Sequence, residues 1–67
     1  MMNGTDRIEF PDVEVLAENQ AVLLCLVNAK LVSIPLGRIL PGTTVRQQGD
    51  RGTVVLTREV AVMLGLV

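Results

Sequence analysis

Ala21-Val22-Leu23-Leu24-Cys25-Leu26-Val27 is apolar at every position. A continuous run of this length, bounded by polar residues, predicts a strand. Alternate side chains of a strand point to opposite faces. Ala21, Leu23, Cys25 and Val27 share one face; Val22, Leu24 and Leu26 share the other. Both faces are apolar. An antiparallel strand in a small protein normally keeps one wet face. Burying both faces takes a layer on each side.

The neighbouring residues say what those layers can be. Asn28-Ala29 is a two-residue turn candidate, because Asn tolerates positive φ. Lys30-Leu31-Val32-Ser33-Ile34-Pro35 reads as the returning strand, giving a hairpin over residues 21–35. On the N-terminal side, Ile8 and Phe10 share one parity, while Val13, Val15 and Ala17 share the other. The parity switches at Pro11, which predicts a bulge or edge position. Leu36 to Leu40 fits one helical turn, and Pro41-Gly42 is a turn signal. Thr43 to Gln48 predicts an exposed strand, Gly49-Asp50-Arg51-Gly52 a tight turn, and Thr53 to Leu56 the last strand. Thr57 is placed as the N-cap of a helix over 58–64, with Gly65 at its C′ position.

The expected fold is mainly β. It is a small antiparallel, SH3-like barrel or a strongly bent sheet of four or five strands, with one short C-terminal helix. The 67 residues make a single domain, with residues 1–6 as a polar, flexible arm. The helix has about two turns and covers one side of the central strand only in part. A core below roughly 70–80 residues seldom yields more than about 3–5 kcal/mol unaided. Cys25 is the only cysteine, so no intramolecular disulfide can form. With no His and one Cys, a tetrahedral zinc site lacks ligands. Oligomerisation is the remaining source of support. Val22, Leu24 and Leu26 are the expected contact surface, joined by the apolar end Leu66 and Val67. The alternative is a central barrel strand with its second face under the helix. Cys25 reads as a small buried hydrophobe, with an intermolecular disulfide as the lesser alternative.

No catalytic constellation is present, so the chain reads as a non-enzyme with no cofactor and no metal. There is no His for general-base work and no Ser-His or Cys-His pair. The acids Asp6, Glu9, Asp12, Glu14, Glu18, Asp50 and Glu59 read as solvated or turn residues. The glycines lack the Lys-Ser or Lys-Thr that completes a phosphate loop. The six basic residues are scattered, and Phe10 is the only aromatic, against direct nucleic-acid binding. Oligomer symmetry could still gather Arg38, Arg46 and Arg51 into an anion pocket. Net charge is −1, which gives no general attraction to nucleic acid or anionic membranes. The N-terminus has no signal-peptide pattern and no apolar run approaches spanning length, so a cytoplasmic location is expected.

Two resemblances follow from the C-terminal half. Lys30 to Pro35, then Gly52-Thr53-Val54-Val55-Leu56-Thr57, then Glu59-Val60-Ala61-Val62-Met63-Leu64-Gly65-Leu66, resemble a class of short phage and prophage proteins. Those have a strand ending in an Ile-Pro step, then a closing strand, and end in a helix of the form Glu-x-Ala-x-x-x-Gly-Leu. The usual Trp residues are replaced here by Val32 and Arg58. The resemblance implies a small β-barrel with a terminal helix and a mobile-element origin. Residues 52–66 are also similar to the core of swapped-hairpin transition regulators and antitoxins. In that family the stretch is followed by another strand, where this sequence stops at Val67, and the family's basic DNA-binding face is missing. The expected function is a non-catalytic homo-oligomeric binding or adaptor module, with itself or a host protein as partner. The alternatives are an oligomer that sequesters a small anion or nucleotide, and a DNA-binding regulator.

Overall fold

Asn28 and Ala29 both take left-handed backbone, at φ 51° and 63°. Two such residues in a row define a type I′ turn, whose twist matches the strands it joins. The expected hairpin forms around them. In the computed structural model, which describes residues 6–67, β1 is Arg7–Glu18, β2 is Val22–Val27, β3 is Lys30–Pro35 and β4 is Arg51–Thr57. A 3-10 turn, Leu36–Arg38, follows β3, and the helix α1 is Arg58–Met63. The strands form one antiparallel sheet in the order β3-β2-β1-β4. The fold is mainly β with one short C-terminal helix, and the sheet is open rather than a closed barrel.

The chain between β3 and β4 explains why it stays open. Thr43 to Gln48 is not the strand its composition predicts. Pro41 has no N–H, and Gly42 turns the chain away at φ 101°. The segment instead straps along the outer edge of β4. The Leu40 N–H donates to the Val55 carbonyl (3.0 Å) and the Thr44 N–H to the Thr53 carbonyl (2.8 Å). In the other direction hydroxyls accept where carbonyls would in a ladder. Thr43 Oγ1 accepts from the Val55 N–H (2.9 Å) and Thr44 Oγ1 from the Thr53 N–H (2.9 Å). The edge is satisfied without a further strand. The predicted turn at 49–52 also shifts, because Arg51 and Gly52 belong to β4. Asp50 closes the turn earlier, its carboxylate accepting from the N–H groups of Arg46 (2.8 Å) and Gln47 (3.0 Å).

β1 bends twice. Its register with β4 shifts between Phe10 and Val13, where Asp12 sits at φ 59°. This is the parity switch expected at Pro11. A second shift, against β2, falls between Val15 and Ala17. Each inserts extra chain and bends the strand. As a result Phe10, Val13 and Val15 all face the core.

The core lies on one side of the sheet. Leu23, Cys25 and Val27 of β2, Val32 and Ile34 of β3, and Val54 and Leu56 of β4 join the β1 residues there. Val60 and Ala61 of α1 and Val45 of the strap close over them. Thr57 caps α1 by accepting from the Val60 N–H (3.2 Å). Gly65, at φ 75°, ends it. The Gly65 N–H reaches the Val62 carbonyl (3.0 Å) and the Leu66 N–H the Ala61 carbonyl (2.8 Å), a Schellman ending. Of the expected N-terminal arm, residues 1–5 lie outside the described residues. Asp6 is tied down: its carbonyl accepts from the Arg58 N–H (2.7 Å), and its carboxylate lies 3.9 Å from Arg58 Nε. Among the described residues no helix is long and apolar enough to cross a membrane.

Candidate interaction surface

The register fixes which side chains point away from the core. Glu14 pairs with Leu26, Leu26 with Leu31, Ala17 with Leu24, Leu24 with Ser33, and Val22 with Pro35. Opposed residues share a face, so these form cross-strand rows on the outer side of the sheet. Leu16, the extra residue of the second bulge, adds to them. The rows are strongly apolar, and among the described residues no layer covers them. Leu16 is 39% exposed, Leu26 37% and Leu31 58%, with Val22 and Leu24 half-buried between. Over β4 the outer side differs. Val55 faces outward beside Glu9 yet is buried, because Gly42 lies against it and the Arg7 guanidinium reaches over to the Pro41 carbonyl. The strap covers one flank of the outer face, and among the described residues nothing covers the face over β1–β3.

The sequence reading places Val22, Leu24 and Leu26 on one face, and that is the face left uncovered. It misses Leu16 and Leu31. Leu31 was legible from strand parity, since Val32 and Ile34 claim the core. Leu16 was hidden by a bulge that no residue type announces. The two terminal residues separate. Leu66 packs against the protein's own core, while Val67 is 58% exposed.

The three arginines are not brought together. Arg38 ends the 3-10 turn and is exposed. Arg46 helps line an open depression of about 530 Å³, together with Thr43 and apolar residues such as Leu23, Leu36, Ile39 and Val45. Arg51 starts β4 opposite Glu14 and shares a shallow depression of about 390 Å³ with Asp12 and Glu14. Two carboxylates beside one guanidinium oppose anion binding there. A third depression, about 230 Å³, lies on the uncovered face between Ala17, Val22, Leu24 and Ser33. Among the described residues no three acids, or acids with the thiol, converge on a metal position.

Cys25 is fully buried, and burial pushes its thiol pKa up. Its sulfur is a packing atom on the core side, out of reach of a partner thiol in this fold. Comparison with family profiles, with curated proteins and with solved structures finds no match to this chain.

Proposed function

We propose that the protein is a non-catalytic module that self-associates through the uncovered face of β1–β3. One observation carries the reading: Leu16, Leu26 and Leu31 stand exposed on one face, beside the half-buried Val22 and Leu24. A contiguous apolar patch of this kind marks a contact surface. A second copy is the occupant with matching chemistry, since sheet-on-sheet packing buries two such faces against each other. The size of the chain supports the same reading, because a core this small gains from a partner subunit. The resemblance to short phage proteins supports an origin in a mobile element. Anion capture is the weaker reading, because Arg46 and Arg51 line separate depressions of one copy and Arg51 shares its own with Asp12 and Glu14.

Leu16→Lys tests the face contact. Leu16 is already 39% exposed, so the change costs the protomer little. Burying the remaining side chain in a contact is worth about 0.6–1.2 kcal/mol per copy. Two copies across a twofold contact give about 1–2.5 kcal/mol, roughly 5- to 70-fold in dissociation constant. Sedimentation equilibrium should show that weakening; unchanged association would remove this face from the contact.

A further inference from the structure

The two edges of the sheet are treated differently. At β4 the N–H and C=O groups of Thr53 and Val55 all find partners in the strap. At β3 no described residue pairs with the outer edge, and β3 is hydrogen-bonded to β2 alone. The two-residue turn makes Val27 and Lys30 a hydrogen-bonded pair, and Cys25–Val32 and Leu23–Ile34 follow two residues apart. Lys30, Val32 and Ile34 therefore direct their main chain at β2. Leu31 and Ser33 direct theirs outward.

An open edge is normally blunted by a charge, a bulge or a covering loop. Among the described residues β3 has no bulge and no covering loop, and its one proline, Pro35, stands at its last position. Its pairing with β2 is regular from end to end, whereas both pairings of β1 are bulged. Its one charge, Lys30, is engaged elsewhere, donating from Nζ to the Gly65 carbonyl (2.9 Å).

We propose that β3 pairs edge to edge with β3 of a second copy, antiparallel about a twofold axis at Val32. This rests on the reading that the protein self-associates, and it adds a second contact distinct from the face. The register follows from the free groups. With Val32 opposite Val32 of the other copy, Leu31 lies opposite Ser33 and Ser33 opposite Leu31. Each of those pairs exchanges two N–H···O bonds, so every outward donor and acceptor of Leu31 and Ser33 is used. Sliding to set Ser33 against Ser33 puts Leu31 opposite Pro35, which has no N–H for the Leu31 carbonyl. Sliding the other way puts Ser33 opposite Ala29, whose φ of 63° lies in the turn and outside the strand. In the proposed register Leu31 of each copy falls diagonally across the seam from the other. The two uncovered faces then join into one larger apolar sheet face, which the face contact covers.

The test is residue-resolved amide exchange and native mass on the full chain, with Ser33→Pro and Leu16→Lys as variants. The Ser33 N–H points away from β2, so proline there removes no bond within the protomer. In the assembled wild type, the Leu31 and Ser33 amides should exchange roughly a hundredfold slower than an open strand edge. Ser33→Pro should halve the number of copies. Leu16→Lys should reduce the mass while those two amides stay slow. Fast exchange at both amides in a multi-copy wild type overturns the edge pairing and leaves the face contact standing. Slow amides with a mass that Leu16→Lys leaves unchanged support the edge and overturn the face. A single-copy wild type overturns both. If Ser33→Pro fails to fold, the wild-type amide rates alone decide the edge.

Discussion

Gly52 is where the strap is most sensitive, and Gly52→Ala is the substitution that probes it. A Cβ added at Gly52 would overlap Thr44 Oγ1 and press on the Val45 side chain. Thr44 is backbone-anchored to Thr53 and cannot swing clear without breaking that anchor. Its N–H donates to the Thr53 carbonyl at 2.8 Å, and its Oγ1 accepts from the Thr53 N–H at 2.9 Å. Each bond is worth about 1 kcal/mol net. Unseating Val45, which is 2% exposed, adds on the order of 1 kcal/mol of lost burial. The sum is about 2–3 kcal/mol, against a stability of about 3–5 kcal/mol for a core of this size. With a urea slope of roughly 1 kcal/mol/M, the midpoint should fall by about 2–3 M. The chain has no Trp or Tyr, so circular dichroism is the suitable signal, read at one protein concentration. Gly37→Ala is the control. Nothing lies within 4 Å of a Cβ there, and its stability should stay within about 0.5 kcal/mol of wild type. If Gly52→Ala unfolds together with Gly37→Ala, the strap does not hold β4 as described.

Other substitutions test separate parts of the fold. Ala29→Gly relieves a left-handed alanine at φ 63° and should stabilise by about 0.5–1 kcal/mol in the same urea assay. Asp50→Ala removes the acceptor of two turn N–H groups and should cost about 1–2 kcal/mol. Cys25 is held neutral in the fold, burial raising its pKa above the ordinary thiol value of 9.0. Unfolding restores the ordinary value, so its contribution to stability is intact below that value and declines as pH rises through the folded pKa. Wild type should lose stability above about pH 9 more steeply than Cys25→Ala, and a thiol reagent should modify native protein only as fast as it opens.

Much of this fold is legible in particular residues. The apolar run at 21–27, Asn28-Ala29 and the β3 sequence give the hairpin directly. Pro11 marks the first bulge, and Thr57 and Gly65 bracket the helix. The strap is hidden in the sequence for a physical reason. Thr43-Thr44-Val45 favours strand by composition, but both threonines spend their hydroxyls on β4 main chain, and only tertiary contact reveals that. Whether the ends of the sheet meet depends on the same segment, which is why an open sheet and a closed barrel remained alternatives. On the surface, three of five expected contact residues share the uncovered face. Leu66 turns inward because the Schellman ending points it at the core, a consequence of Gly65 that chain position alone does not convey.

The central claim is that the outer face of β1–β3, uncovered among the described residues of one copy, finds its cover in another. Native mass spectrometry of the wild-type chain at micromolar concentration addresses it directly. The account predicts a species of at least twice the 7.2 kDa chain. A lone 7.2 kDa species, stable and soluble at that concentration and above, would contradict it.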